Sequence, residues 1–263
     1  MKSPPERKFV TFANCYEDDI RAQAYASLEF KNTYHLAYRD VPAILGEHVS
    51  GRKSLDFGCG AGRSTRFLRQ LGFEVTGVDI AEDMIRKARE LDPSGDYRLI
   101  QSGDVQSHDE SNDVPGDDLS GFQSGAYDLV LAAFTFDNIA GRQTKLRILQ
   151  DLGRLLNHEG KLVLIVSRPE IYTDEWASFS TKDFAENQLA KSGDKVRIIV
   201  TDHADPRPVE DILWTEESYR EVFEEARLRL LGKYEPLARG DEPYSWVSEV
   251  EIAPWAVYVL EGV

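Results

Sequence analysis

The chain predicts an α/β protein built on a doubly wound parallel sheet, with a helical lid ahead of it and an insertion after the fifth strand. Three observations predict this. Short apolar runs alternate with segments of helical period from Lys53 to Val166. A glycine-dense turn, Gly58-Cys59-Gly60-Ala61-Gly62, joins the first run to a helix, and the second run ends on an acid, Asp79. Parallel strands need crossover connections, so helices come to cover both faces of the sheet.

Each element has its own local signal. The first 50 residues stand outside the alternation and read as helical and aromatic, with Tyr16, Tyr25, Phe30, Tyr34 and Tyr38. Asp40 is placed to cap a helix with Pro42 in its first turn, running to His48. Leu55 to Phe57 reads as the first strand, and Ser64 to Leu71 as a helix closed by Gly72. Glu74 to Asp79 is the second strand. Ala81 to Leu91 is a helix with Met84, Ile85, Ala88 and Leu91 at helical spacing and Pro93 beyond its end. Asp96 to Ile100, Tyr127 to Leu131 and Lys161 to Val166 are the third, fourth and fifth strands. The helix between the last two carries Leu146, Ile148, Leu149, Leu152, Leu155 and Leu156. Residues 105–126 are acidic and polar, as in a solvated loop, and suggest no metal site.

Residues 167–214 interrupt the pattern with Tyr172, Trp176, Phe179 and Phe184, a β-like run at Val196 to Val200, and a second at Val209 to Trp214. A stretch of this length with structure of its own often covers an active site. A helix from Glu216 to Ala226 and strands around Leu228 to Tyr234 and Ala256 to Leu260 follow. The expected division is a helical lid at 1–50, a ligand-binding core at 51–166, a covering insertion at 167–214 and the rest of the core sheet at 215–263.

Composition bounds the function. The 263 residues carry a net charge of −15, with 41% hydrophobic and 29% charged residues. That surface suits a soluble globular protein and disfavours a general grip on nucleic acid, which needs positive charge. The two cysteines, Cys15 and Cys59, fit a reducing compartment, because Cys59 sits inside the glycine turn. No apolar signal core and no membrane-length run is visible, so the expectation is a cytoplasmic protein, with a homodimer left open.

The glycine turn is a cradle for a small molecule: glycine lets a ligand approach the backbone, and the helix start offers unpaired N–H groups. Its spacing selects among ligands. A dinucleotide fingerprint would need its third glycine at position 63, which is Arg63, and no lysine-serine/threonine pair marks a phosphate loop. The stretch Leu55-Asp56-Phe57-Gly58-Cys59-Gly60-Ala61-Gly62-Arg63-Ser64 instead resembles motif I of the class I S-adenosylmethionine-dependent methyltransferases, of the small-molecule type. The resemblance covers about residues 15–166 and, more loosely, 215–263.

That resemblance implies a Rossmann-like core holding S-adenosylmethionine. Asp56, Gly58, Cys59, Gly60 and Gly62 would form the donor loop. Asp79, ending the second strand, can accept both hydroxyl protons of a ribose, while its plainer role is to cap the next helix. Ile80 and Met84 would pack on the adenine, and Gly103, Asp104 and Val105 would meet its amino group, although Asp104 also suits a turn. Phe134 and Phe136 lie in the segment that the family sets beside the methyl group. One of them can face the sulfonium, and core packing is the alternative for both. Tyr25 would reach the methionine end from the lid.

Methyl transfer needs orientation above all, and a base only for some acceptors. His35, beside the lid, and His203, in the insertion, are the candidate bases, with Phe136 in the same catalytic set; either histidine can equally be an ordinary surface residue. Tyr16, Tyr34, Tyr172, Trp176 and Trp246 are candidate walls for the acceptor. Aromatic walls among acids suit a small amine, so N-methylation of a small molecule is expected, with O-methylation as the alternative. A SAM-binding protein without catalysis and an NAD-dependent oxidoreductase are the competing classes.

Overall fold

The computed structural model describes residues 28–101 and 119–263. Helices α1 (Thr33–Arg39) and α2 (Val41–His48) come first. Alternation then proceeds as β1 (Lys53–Phe57), α3 (Arg63–Gln70), β2 (Glu74–Asp79), α4 (Glu82–Leu91) and β3 (Asp96–Leu99). After the acidic segment come β4 (Tyr127–Ala133), a helical turn at Thr135–Asp137, α5 (Arg142–Leu155) and β5 (Leu156–Ser167). A second turn at Pro169–Tyr172 leads to β6 (Phe179–Ser180), β7 (Lys195–Val200) and β8 (Val209–Ile212), followed by α6 (Glu216–Glu225), β9 (Leu228–Tyr234) and β10 (Trp255–Gly262).

The seven-stranded sheet has the order β3-β2-β1-β4-β5-β10-β9. Strands β1 to β5 pair in parallel, as the sequence predicts, but β10 runs antiparallel to both β5 and β9. The order reverses at β1 and β4. In such sheets the crevice at that switch point, beyond the carboxyl ends of the strands, receives the ligand.

Alternating side chains build two core layers. Leu129, Leu131, Val163, Ile165, Val257 and Val259 pack on the face that meets α1, α2 and the insertion. Val130, Ala132, Leu162, Leu164, Tyr258 and Leu260 pack on the other, under α5 and α6. The central strands are apolar on both faces, the mark of a sheet covered on both sides.

Three expectations are refined. The Asp40 side chain makes no capping bond to α2; it is taken by Arg39, at 3.0 and 2.7 Å, because a charged fork outcompetes a backbone amide. Strand β5 begins at Leu156 rather than Lys161. Its register shifts between Tyr127 and Leu129, and His158 lies exposed within the strand. The insertion is a three-stranded antiparallel sheet in the order β6-β7-β8. Among the described residues, no helix is long and apolar enough to cross a membrane.

Candidate cofactor and acceptor site

Strand β1 delivers Asp56 fully buried to the edge of the crevice. Its Oδ2 accepts hydrogen bonds from Ser64 Oγ and Thr65 Oγ1, each at 2.6 Å, so the strand end is tied to the first turn of α3. Its Oδ1 is buried and accepts nothing. Burial pushes this carboxyl up to about 6, against the two hydroxyls, which lower it.

The loop then crosses to β2, where Val78 O accepts the N–H groups of both Gly58 and Cys59 at 2.8 and 2.9 Å. Asp79 holds the crossing. Its Oδ2 accepts from Gly60 N and its Oδ1 from Ala81 N, both at 2.8 Å. Bracing the loop and starting the next helix are therefore one act of one carboxylate.

The glycines differ in purpose. A Cβ on Gly58 would lie 2.3 Å from Thr135 Oγ1, and one on Gly62 would lie 2.6 Å from the Tyr97 hydroxyl. Gly60 also has positive φ, at +53°, yet a Cβ there would meet nothing within 4 Å. The open face of the loop is at Gly60, beside Asp79. Cys59 turns inward to pack with Ile85, Ala88 and Tyr97, so only its backbone borders the crevice, and burial pushes its thiol well up.

Opposite the loop lies an aromatic floor. Phe134, half-exposed at the end of β4, has left-handed backbone (φ 62°), and its N–H donates to Ile165 O at 2.7 Å. Its ring centroid is 4.8 Å from Trp255, 5.8 Å from Tyr34 and 6.2 Å from Tyr38. The Arg63 guanidinium, one residue past Gly62, lies 4.7 Å from the centroid of Tyr34 and 5.4 Å from that of Phe30, which joins the loop to the residues around α1 by cation–π contact.

Other candidates fall elsewhere. Phe136 is fully buried in the core layer under α5, because Thr135–Asp137 turns helically and does not alternate like a strand. Phe134, not Phe136, borders the crevice. His35 points to the side of α1 away from the floor, with Nε2 3.5 Å from Glu242 and its ring 5.1 Å from Tyr244. His203 sits in the β7–β8 connection, where its Nδ1 accepts from Asp205 N at 3.2 Å. Neither histidine is brought to the loop or the floor. Trp246 packs 5.1 Å from Tyr244, toward His35 and not over the floor. Trp176 is buried, its Nε1 donating to Ile171 O at 2.9 Å, so it supports the insertion. Ile80 is half-buried and Met84 buried along the start of α4. Tyr16, Tyr25, Gly103, Asp104 and Val105 lie outside the described residues.

A buried polar group at the ends of β4 and β5 escaped sequence reasoning. Asp137 accepts from Ser167 N at 3.0 Å and from Ser167 Oγ at 2.8 Å, and the Tyr172 hydroxyl donates to Asp211 Oδ2 at 3.1 Å. The Lys145 ammonium is fully buried and donates to Phe136 O. Burial pushes both carboxyls up and the ammonium down.

The residues present fit an adenosyl sulfonium donor. An open glycine beside a carboxylate at the end of β2 suits a ribose diol. The unpartnered Asp56 oxygen suits a cationic ammonium, and aromatic rings stand at the end of β4. Among the described residues, no group of three metal-ligating side chains gathers.

Comparison with known proteins agrees with this geometry. Residues 55–162 match the methyltransferase domain family, and the chain shares the fold of solved S-adenosylmethionine-dependent methyltransferases. Over 161 residues it is 30% identical to a ubiquinone biosynthesis O-methyltransferase from Xanthomonas oryzae, covering 60% of this chain and 58% of that one. A Bordetella avium protein of the same name is 36% identical over 86 residues, covering 33% of this chain and 32% of its own. The matched stretch therefore spans from a third to somewhat over half of these relatives. A methyltransferase structure from Clostridium acetobutylicum superposes with a TM-score of 0.56 at 13% identity, over 95% of this chain and 97% of that one, which establishes the fold.

Proposed function

We propose that the protein transfers a methyl group from S-adenosylmethionine to a small-molecule acceptor, with nitrogen as the favoured target. The observation that carries the donor is the open Gly60 face bracketed by Asp79 and by the unpartnered Asp56 oxygen. When bound, the donor supplies a methyl group on cationic sulfur that leaves as a neutral thioether.

The chain's residues supply position and field. Asp79 holds the loop at Gly60 and offers its carboxylate to the ribose side. Asp56 presents negative charge to the ammonium end, where low dielectric strengthens the attraction. Phe134, Tyr34 and Trp255, packed on one another, give a cation-tolerant wall for the methyl and acceptor. Carboxylates facing aromatic rings suit an amine, and the net charge of −15 favours a cationic partner.

The names of the relatives favour a second reading, methylation of a phenolic oxygen. A radiolabelled methyl-transfer screen against matched amines and phenols separates the two, and products only from phenols would overturn the nitrogen assignment. Calorimetry with S-adenosylmethionine and with NAD tests the donor. Tight binding of NAD alone would refute it.

A further inference from the structure

We propose that Asp211 is the acceptor-facing acid of the site, binding the ammonium group of an amine and accepting its proton, with Tyr172 as its positioning residue. This rests on the methyltransferase reading above and names the group that meets the acceptor.

The position is anomalous for an acid. Strands β7 and β8 pair antiparallel with Val196 opposite Asp211 and Ile198 opposite Val209. Val196, Ile198, Val200 and Val209 all face the core layer under the aromatic floor. Asp211, two residues after Val209, shares that inward side, where the alternation calls for an apolar residue. A carboxylate there costs several kcal/mol by order of magnitude unless something offsets it, so its placement asks for a purpose.

What surrounds Asp211 defines the site. Tyr172 donates to its Oδ2 from the turn after β5. Asp137 acts on it from the turn after β4 and Lys145 from α5. Tyr34 on α1 and Tyr219 on α6 both feel its charge. Its hydrogen-bond partner Tyr172 and its neighbours Val196 and Val209 share a core layer with Tyr34 and Trp255, against which Phe134 packs, so Asp211 stands on the insertion side of the floor. Tyr172, Val196, Val209 and Ile212 are buried around it, and Asp211 itself is half-buried. Independently, two buried donors in the same cluster, Trp214 Nε1 and Tyr219 Oη, have no partner, while the Lys145 ammonium sits 4.8 Å from the Trp214 ring. Polar capacity has been built here beyond what the chain itself uses.

The chemistry is a proton transfer. One N–H bond of the ammonium breaks, its electron pair stays on nitrogen, and an O–H bond forms on Asp211. The freed lone pair is then the nucleophile. Burial keeps the carboxyl above the ordinary carboxylate range and so closer to neutrality, where a base works best.

The test uses the whole protein saturated with S-adenosylhomocysteine and benzylamine as the probe, with benzyl alcohol as its neutral counterpart. In calorimetry the wild type should bind benzylamine, and Asp211→Asn should bind it about tenfold more weakly or worse. Asp211→Glu should recover part of the loss, and benzyl alcohol should not distinguish the variants. Affinity for benzylamine should rise with pH through the Asp211 titration in the wild type and stay flat in Asp211→Asn. In carbon-13 spectra of aspartate-labelled protein, the resonance missing from Asp211→Asn should move when benzylamine is added and titrate higher in Tyr172→Phe. Equal benzylamine binding by wild type and Asp211→Asn, or none by the wild type, overturns the proposal. Absence of S-adenosylhomocysteine binding in the wild type would strike the donor reading instead.

Discussion

Thr33 and Glu249, 216 residues apart in sequence, meet through a buried hydrogen bond of 2.6 Å from the threonine hydroxyl to Glu249 Oε1. The same carboxylate accepts from Ala177 N at 2.7 Å and Val247 N at 2.8 Å, while Trp255 Nε1 donates to Thr33 O at 2.8 Å. One fully buried acid thus joins the start of α1, the insertion and the connection into β10. Thr33→Val removes one donor from a charged acceptor that water does not reach. It should cost about 1.5–3 kcal/mol in denaturant unfolding and raise amide exchange along α1 first. A loss below half a kcal/mol would mean that the junction is held by other contacts.

The loop glycines make a sharper contrast. Gly58→Ala combines positive φ with a Cβ 2.3 Å from Thr135, so it should damage folding itself, by about 3 kcal/mol or more. Gly60→Ala meets no protein atom and should cost only about 1–2 kcal/mol for its left-handed backbone. Its methyl group would instead occupy the space a ligand needs, lowering S-adenosylhomocysteine affinity by about tenfold or more. Thermal unfolding and calorimetry on both variants read this out. An unaltered affinity in Gly60→Ala would move the donor away from this loop.

The legibility of the chain follows the range of the forces involved. The strands, the helices between them and the loop from Asp56 to Gly62 were readable because period and turn chemistry are local. Asp79 was readable as the acid that ends the second strand, but its bond to Gly60 N, which braces the loop, was not. Phe136 was misplaced because a helical turn, invisible to alternation, carries the chain off β4. His35 lies one residue from Tyr34, yet 100° of helix rotation sends it to Glu242 and away from the floor. Asp211 was unreadable because the inward face of β7 and β8 is decided by how the insertion sheet docks, and Asp40 because its neighbour Arg39 competes for it.

Phe134 carries the clearest backbone strain at the site, being a non-glycine residue at φ 62° on the crevice edge. Phe134→Gly and Phe134→Ala lose the same ring contacts, but glycine adopts this conformation freely. The glycine variant should therefore be more stable than the alanine variant by roughly 0.5–1 kcal/mol, reversing the usual order of these residues. Both should weaken S-adenosylhomocysteine binding about two- to tenfold through loss of the aromatic wall. If alanine proves the more stable, the ring is not held against strain.

Asp56 sets the ligand site against folding. Its carboxyl is raised from 3.8 to about 6 in the folded protein, so the native state binds this proton more tightly than the unfolded chain. Below pH 4 both states are protonated and the residue is neutral toward stability. Between pH 4 and 6 the unfolded chain releases the proton while the native state keeps it, and stability falls as pH rises. Above pH 6 the full penalty stands, about 3 kcal/mol at 1.36 kcal/mol per unit. Asp56→Asn removes that penalty and keeps an oxygen for Ser64 and Thr65. Its stability relative to wild type should climb across this window by up to about 3 kcal/mol and level off above pH 6, while its affinity for S-adenosylhomocysteine falls. Denaturant midpoints at pH 4, 5 and 7.5 measure it. A difference between the two proteins that does not change with pH would show that the buried carboxylate is not charged at the cost of folding, and would remove the reason to assign its unpartnered oxygen to a cation.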